Sequence, residues 1–293
     1  MSRLNYPYVC TRIRARKARL FDREKYEEFL KLKSMEEFLE ALSKTRYGKW
    51  IKEARAMFPL LELLHYATFN YFGEEIREIY RMLDEDLQMK LYPLFAKVDM
   101  YNLLTLIRAK NAGIKKEELK WALVPGIKAK PQTLLGLYDL EIGGIIDALS
   151  ELELMKNVEK SLELSSIEDL IFCNWVSLLK EMKIEEIEKF TNMIVEVYSA
   201  LAVLKMKLTG NVEEELLPLL SKRWGELAKK PIEEIIEAIK AEFRVRGEKY
   251  SEIERELEKI MLKTGLRLMS CLLYTSDAAD DGESVDLGGR RII

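Results

Sequence analysis

Residue types that interrupt helices or carry metal and redox chemistry are scarce in this sequence of 293 residues. It contains 14 glycines, 7 prolines, 3 cysteines and a single histidine, His65. Few glycines and prolines leave long stretches free of helix breakers. Cys10, Cys173 and Cys271 lack both zinc-site spacing and the even number of a disulfide framework, so they fit a reducing compartment. His65 has no second histidine as a partner in a metal or catalytic site, and its apolar neighbours predict a core or boundary position.

Long apolar runs and catalytic motifs are also missing. The most apolar stretch, residues 57–72, is interrupted by Glu62 and His65 and falls short of the roughly 20 apolar residues that cross a membrane. The polar and basic start of the chain does not have the pattern of a signal peptide. The sequence has no glycine-rich phosphate loop, nucleophile elbow or cluster of metal ligands. We therefore expect no catalytic residue, no bound cofactor and no metal.

Strong helix formers dominate the composition, and the alternation typical of strands is absent outside short runs, which predicts an all-α fold. Asp22 and Ser34 are predicted helix N-caps, with Glu37 completing a capping box at Ser34, and Gly113 is a predicted left-handed C-cap. The pattern predicts helices over residues 8–20, 24–31, 34–43, 50–71, 74–84, 87–92, 99–112, 115–123, 132–138, 142–155, 166–172, 175–181, 184–208, 213–220, 231–242 and 248–269.

One helical motif recurs along the chain. A shift of 97 positions aligns residues 99–113 with residues 196–210 without a gap, and both stretches have an acid at the start, a tyrosine, a lysine and a final glycine. A shift of 94 positions aligns Thr-Leu-Ile-Arg-Ala-Lys at 105–110 with Thr-Arg-Ile-Arg-Ala-Arg at 11–16. A period of about 100 residues is too long for a solenoid unit, so the pattern indicates three duplicated helical domains. The alternative is the general similarity between any two amphipathic helices.

The final segment, residues 271–293, differs from the rest in composition. It has no helical period, no lysine and three of the 14 glycines, and it resembles a translated sequencing-library adapter. We therefore expect it to be non-native and exclude it from the fold prediction. It holds five acidic and two basic residues, so the rest of the chain has 45 of each and is neutral. Asp277, Asp280 and Asp281 lie in this segment, and their cluster gives no support to an all-α prenyl-transferring enzyme.

The N-terminal segment is strongly basic. Residues 1–23 contain seven basic residues and one acid, Asp22. A basic helix can bind nucleic acid or a membrane surface, but no nucleic-acid motif or aromatic-interleaved patch accompanies this one. Contact with an acidic neighbour or a protein partner is the interpretation we favour. An all-α scaffold, or a nucleic-acid-binding adaptor that uses this helix, is the alternative function.

Two motifs carry a resemblance to a known family. They are Tyr-Val-Cys-Thr-Arg-Ile-Arg-Ala-Arg-Lys-Ala-Arg-Leu at 8–20 and Asp-Met-Tyr-Asn-Leu-Leu-Thr-Leu-Ile-Arg-Ala-Lys-Asn-Ala-Gly at 99–113. With the threefold pattern, the chain over residues 1–270 resembles the C subunit of the A-type and V-type ATP synthases, a family that also includes the d subunit of the V-type ATPases. The family continues further, so the last domain is expected to be incomplete. The resemblance implies three pseudo-threefold-related helical domains that form a funnel, at residues 1–97, 98–195 and 196–270.

The resemblance also implies a non-catalytic rotor part of the central stalk. Its narrow end would sit on the cytoplasmic rim of the membrane proteolipid ring, and its wide end would receive the D and F shaft subunits. Rotation would then couple ATP synthesis or hydrolysis to proton or sodium transport. The protein would be a peripheral component at the cytoplasmic face of the cell membrane, without a nucleic-acid partner.

Six residues of the recurring motif are candidates for partner contacts or for a structural role: Arg14, Arg16, Asp99, Asn102, Arg108 and Lys110. The four cations occupy equivalent positions in two copies of the motif, where they would line the funnel or meet acidic loops of partner subunits. The alternative is local charge pairing at helix ends, which contributes about 0–1 kcal/mol per exposed pair.

Overall fold

The computed structural model describes residues 6–160 and 162–265. Throughout these residues the regular secondary structure is helical, which confirms the predicted all-α fold. The chain divides into two compact units, unit 1 at Met1–Ile171 and unit 2 at Phe172–Ile293. The segment that resembles an adapter, residues 271–293, lies outside the described residues.

Unit 1 begins with the basic helix and contains the longest helices of the described chain. Its helices are α1 (Tyr6–Lys17), α2 (Arg23–Leu30), α3 (Met35–Ser43), α4 (Gly48–Ala54), α5 (Leu60–Met82), α6 (Glu85–Asn111), α7 (Lys116–Ala122), α8 (Pro131–Leu137) and α9 (Ile142–Leu149), followed by a 3₁₀ turn at Glu153–Met155. The next helix, α10 (Leu164–Glu181), begins in unit 1 and ends in unit 2.

Unit 2 continues with 3₁₀ turns between its helices. Its elements are a 3₁₀ turn at Glu185–Ile187, α11 (Glu188–Thr209), a 3₁₀ turn at Glu214–Leu219, α12 (Lys222–Leu227) and α13 (Ile232–Phe243). Residues 250–265 are also helical.

Pro59 divides the helix that the sequence predicts over residues 50–71, so that prediction is wrong. Proline has no backbone N–H and disfavours a helical residue before it, so a helix ends before Pro59 and a new one begins after it. The Pro59 carbonyl accepts the Leu63 N–H at 2.9 Å, the first hydrogen bond of α5. A proline that interrupts one helix therefore starts the next.

Gly73 and Pro93 do not end helices, although the sequence predicts breaks near both. α5 continues through Gly73, where a Cβ atom would lie 3.0 Å from the Pro125 carbonyl oxygen, so glycine allows a close approach of two segments. α6 contains Pro93, and it joins the helices predicted at 87–92 and 99–112 into one helix of 27 residues. Packing of the helix against its neighbours, rather than local propensity, sets these helix lengths.

Two further predicted helices have different bounds. The helices predicted at 166–172 and 175–181 form the single helix α10. The helix predicted at 142–155 ends at Leu149, and a 3₁₀ turn follows it. Both differences arise where the sequence has no glycine or proline to mark an element's end.

The predicted N-caps are confirmed, with one difference in the capping box. Asp22 and Ser34 accept the backbone N–H groups of Lys25 at 2.8 Å and Glu37 at 3.2 Å. The Glu37 carboxylate accepts the N–H of Lys33 at 2.9 Å, so its return bond goes one residue beyond the Ser34 N–H of a capping box. These bonds satisfy N–H groups that the first turn of a helix leaves free.

The core of the first half of unit 1 lies between α3, α4 and α5. Six buried side chains form it: Leu39, Leu42, Ile51, Ala54, Leu63 and Ala67. Full burial of one leucine-sized side chain contributes roughly 1.5–3 kcal/mol to the free energy of unfolding. In unit 2 the Trp224 side chain is fully buried and its ring stacks on Phe243 with a centroid distance of 6.0 Å.

The predicted domain boundaries fall inside continuous helices. The boundary at 97/98 lies within α6, and the boundary at 195/196 lies within α11. The compact units instead divide at Ile171, within α10. The division into three domains stays a prediction.

Candidate functional site

α6 carries two buried polar side chains one turn apart. Asp99 and Asn102 have no exposed surface, at 0 % each. Because they are three residues apart, they lie on one face of the helix. That face meets residues 124–129, a non-helical segment after α7 that we call the 124–129 loop. Buried polar groups cost free energy unless they are hydrogen-bonded, so the helix face and the loop have to satisfy one another.

The Asp99 carboxylate accepts four hydrogen bonds. Three come from consecutive backbone N–H groups of the 124–129 loop, at Ile127 (2.7 Å), Lys128 (2.9 Å) and Ala129 (3.0 Å). The fourth comes from the hydroxyl of Tyr92, two turns earlier on α6, at 3.0 Å. One side chain therefore holds half of the loop against the helix.

The surroundings of Asp99 act on its proton affinity in opposite directions. Burial raises the pKa of Asp99 above its ordinary value, and the four hydrogen bonds to the carboxylate lower it and offset part of that rise. Burial also raises the pKa of Tyr92, and the neighbouring Asp99 charge raises it further. The Tyr92 hydroxyl therefore keeps its proton and acts as a donor at neutral pH.

Asn102 satisfies the other half of the loop. Its side-chain oxygen accepts the Val124 N–H at 2.9 Å, and its nitrogen donates to the carbonyl oxygens of Val124 at 2.8 Å and Ala129 at 2.9 Å. Between these points a Cβ on Gly126 would lie 2.4 Å from the Ala129 oxygen and 2.7 Å from the Asp99 carboxylate. Only glycine fits this position. We call Asp99, Asn102 and the 124–129 loop the polar clamp.

The cations of the motif do not assemble into one site. Arg14 is exposed on α1, whereas Arg16 donates to the Glu75 carboxylate at 2.8 Å. In that pair the Arg16 side chain is 16 % exposed and the Glu75 side chain 27 %. The contact joins the basic N-terminal helix to α5, so the Arg16 guanidinium is paired with a carboxylate of the same chain.

Arg108 and Lys110 also make contacts within unit 1. Arg108 donates twice to the Glu168 carboxylate, at 2.7 and 2.6 Å, and this bidentate bond raises the pKa of Arg108. Lys110 donates to the Tyr138 carbonyl at 3.1 Å, with its ammonium 5.3 Å from the centre of the Tyr138 ring. Although Lys110 and Arg16 are aligned in the sequence, their partners differ.

Unit 2 repeats the polar clamp at the 97-residue shift. Glu196 and Ser199 stand where unit 1 has Asp99 and Asn102. The Ser199 hydroxyl accepts the Ser221 N–H at 2.9 Å, the counterpart of the bond from Val124 to Asn102. Glu196 accepts the Ser221 hydroxyl and, at 2.8 Å, the indole N–H of Trp224, the residue aligned with Ile127.

The ends of the two helices also match. Gly113 has φ 65°, as predicted for a left-handed C-cap, and the aligned Gly210 has φ 74°. The N–H groups of Gly113 and Ile114 donate to the Lys110 and Ala109 carbonyls, and the corresponding bonds after α11 follow the same shift. This pair of bonds is the Schellman motif. The recurrence seen in the sequence is therefore a recurrence of specific hydrogen bonds.

Several of the residues that bond to Asp99 and Asn102 do not stand out in the sequence. Tyr92 and the loop residues around Gly126 carry no motif, and the only local signal is Pro125-Gly126, which indicates a turn.

His65 is exposed on α5, so its predicted core or boundary position is wrong. Within residues 6–160 and 162–265 no group of three or more His, Cys, Asp or Glu residues could hold a metal ion. In the same ranges, no helix combines the length and apolar character needed to cross a membrane.

Comparisons with known proteins agree with the motifs. Residues 9–270 match the family described as ATP synthase (C/AC39) subunit. The C subunit of the A-type ATP synthase of Methanocaldococcus jannaschii is 28% identical over 90% of this chain and 74% of its own length. That of Archaeoglobus fulgidus is 23% identical over 90% and 82%, and the C subunit of the V-type ATP synthase of Deinococcus radiodurans is 29% identical over 44% and 37%. The chain therefore belongs to the C/AC39 family of ATP synthase subunits.

Proposed function

We propose that this chain is the central-stalk rotor component that joins the D and F shaft subunits to the proteolipid ring of an A-type or V-type ATP synthase. In this role it performs no bond chemistry. It passes rotation between the ATP-handling head and the ion-translocating ring, as a peripheral protein on the cytoplasmic face of the membrane. The match of residues 9–270 to the family supports the proposal.

The observation that carries the proposal is the repeated polar clamp. A part that transmits torque has to resist bending and sliding between its own segments. α6 has 27 residues and is about 40 Å long. Six hydrogen bonds between the 124–129 loop and the side chains of Asp99 and Asn102 fasten its middle. Buried bonds to a charged group are stronger than neutral ones, at roughly 1.5–3 kcal/mol each.

Unit 2 has the same kind of fastening. α11 has 22 residues, and Glu196 and Ser199 hold the segment around Ser221 and Trp224 against it. In each unit a long helix is therefore tied near its middle to a segment more than twenty residues further along the chain. This design suits a stiff coupling element better than a binding pocket that has to open.

The test is reconstitution with the shaft. The chain is co-expressed with the D and F subunits of its source, and complex formation is measured by gel filtration and calorimetry. We expect a stable complex of the three chains, and then attachment of that complex to detergent-solubilised proteolipid ring. A chain that is folded by circular dichroism but binds neither the shaft nor the ring would contradict the rotor assignment.

A further inference from the structure

An open aromatic groove lies on unit 1, next to the polar clamp, whose residue Val124 forms part of its lining. It has a volume of about 450 Å³ and lies between α5, α6 and α7. Five aromatic rings line it: Phe58, Tyr66, Phe69, Tyr101 and Trp121. They contact one another with centroid distances of 5.3 to 6.0 Å, which fixes the groove's shape. We call this feature the aromatic groove.

One face of α5 continues the groove as an apolar stripe. Leu61, Phe69 and Phe72 are 55 %, 45 % and 51 % exposed, and His65 lies between the first two. Their spacings of four, four and three residues place all four on one side of the helix. The stripe is about 16 Å long, the length of three helical turns. Three half-exposed apolar side chains on one face, next to an aromatic groove, form a surface that a partner helix can bury.

Unit 2 contains a similar arrangement that is covered. Phe172 and Trp175 are three residues apart on α10, as Phe69 and Phe72 are on α5, and both contact Tyr198, which aligns with Tyr101. Trp175 is only 2 % exposed and Tyr198 only 9 %. The 97-residue shift aligns Phe69 and Phe72 with Ser166 and Asp169, so the two aromatic pairs correspond only through Tyr101 and Tyr198, and the pair in unit 1 is the more exposed one.

The charges around the groove specify what can cover it. Glu62 and Glu118 are exposed and line the groove, whose lining contains no lysine or arginine, and the nearby Lys120 ammonium lies 5.1 Å from the centre of the Trp121 ring. A cation is attracted both by carboxylates and by the faces of aromatic rings. A helix that lies along the α5 stripe would bury the apolar residues and place a basic side chain between the two carboxylates.

The geometry points to the aromatic groove as the docking site of an amphipathic helix from another subunit of the synthase, with a lysine or arginine that enters between Glu62 and Glu118. The inference rests on the proposed rotor function, because it requires an assembled complex. The inference specifies which surface of the chain contacts the partner subunit and what kind of side chains the partner helix carries.

Photo-crosslinking in the assembled complex tests the inference. Phe69 is replaced by p-benzoylphenylalanine, the complex is irradiated, and the crosslinked peptide is identified by mass spectrometry. We expect an adduct with a peptide of another subunit that has apolar residues at helical spacing and a basic residue among them. Leu30, which is 84 % exposed on α2, is the matched position for background crosslinking.

Charge reversal provides the second measurement. Glu62→Lys combined with Glu118→Lys should lower the adduct yield about tenfold, and reversal of the basic residue on the partner peptide should restore it. Because both positions are exposed, we expect the double variant to fold normally. An unchanged melting temperature is the control for folding. An unchanged yield after charge reversal would overturn the inference. So would an adduct with lipid, with residues 266–293 of the same chain, or with a second copy.

The same samples separate the two proposals. Co-purification with D and F that is not accompanied by an adduct at Phe69 overturns the docking site and leaves the rotor assignment standing. Failure to co-purify with any synthase subunit overturns both.

Discussion

At the scale of single residues, Asp99 explains why a charged side chain can be fully buried in this protein. Four donors meet its two oxygens, three of them backbone N–H groups of a loop that has no helix of its own to satisfy them. Each partner would be costly to bury alone. The sequence marks Asp99 and Asn102 as motif residues, but it cannot name their partners in the loop, which lie 22 to 30 positions further along the chain.

Replacement of Asp99 by its neutral isostere tests this arrangement. Asp99→Asn should lower the free energy of unfolding by about 2–4 kcal/mol, because an amide presents a donor where the loop also presents donors. Urea denaturation measures the change. Asp147→Asn is the matched control, since the Asp147–Lys160 pair is about 60 % exposed and should change stability by less than about 0.5 kcal/mol. Equal midpoints for Asp99→Asn and the control would contradict the clamp.

The raised pKa of Tyr92 predicts a dependence on alkaline pH. An unfolded tyrosine ionises near pH 10, whereas the folded Tyr92 keeps its proton above that value. The unfolded state therefore loses this proton first, and stability falls by about 1.4 kcal/mol per pH unit as the pH rises above 10. Tyr92→Phe should be less stable by about 1.5–3 kcal/mol at pH 7.

A comparison of the unmodified protein with the Tyr92→Phe variant reports on the ionisation of Tyr92 alone, because both proteins contain the other tyrosines. Relative to pH 8, urea denaturation should give a stability difference that is smaller by about 0.4 kcal/mol at pH 10 and by about 1.4 kcal/mol at pH 11. A difference that stays the same at all three pH values would mean that Tyr92 ionises alike in the folded and unfolded chain.

At the scale of helices, local chemistry is predictable and helix length is not. Asp22, Ser34 and Gly113 act within a few residues of their positions, and the structure confirms each of them. Pro93 and Gly73 would end helices by propensity alone, but both lie inside long ones. The reason for Gly73 is Pro125, which is distant in sequence. The contact between Gly73 and Pro125 forms only when the chain folds, so the local sequence around Gly73 does not predict it.

The two glycine C-caps give a prediction about the repeat. Gly113→Ala and Gly210→Ala should each lower the free energy of unfolding by about 1–2 kcal/mol, because both residues have positive φ and a side chain there strains the backbone. A Cβ at either position would meet no atom within 4 Å, so the cost is conformational and not steric. Chemical denaturation of the single variants measures it.

Gly136 supplies the control for this pair. It lies inside α8 with open space around its Cβ and without a positive φ, so Gly136→Ala should raise stability by about 0.5–1 kcal/mol. A gain of stability at Gly113 or Gly210 as well would show that the left-handed caps are not maintained.

At the scale of the whole molecule, the family follows from two short motifs and a recurrence, while the domain division does not. Residues 9–270 match the family, in agreement with the resemblance found in the sequence. The funnel of three domains stays a prediction, and the compact units divide the described chain differently, at Ile171. A recurring motif can be seen in a sequence, but the contacts that group segments into compact units depend on side chains far apart in the chain.

The charge distribution predicts that the protein does not bind nucleic acid. Outside residues 271–293 the chain is neutral, and Arg16 of the basic helix is already paired with Glu75. A fluorescent DNA duplex of about 20 base pairs at roughly 50 mM salt should show no change in anisotropy up to micromolar protein. Binding that weakens steeply as the salt concentration rises would instead support the nucleic-acid adaptor.

The two versions of the polar clamp differ in the lengths of both side chains that form them. One version joins a short acid to an amide, Asp99 with Asn102, and the other joins a longer acid to a small hydroxyl, Glu196 with Ser199. A single replacement changes the reach of only one side chain of the pair. A lineage that passes from one version to the other therefore crosses an intermediate in which acid and neighbour do not match. The two positions should thus co-vary among members of the family.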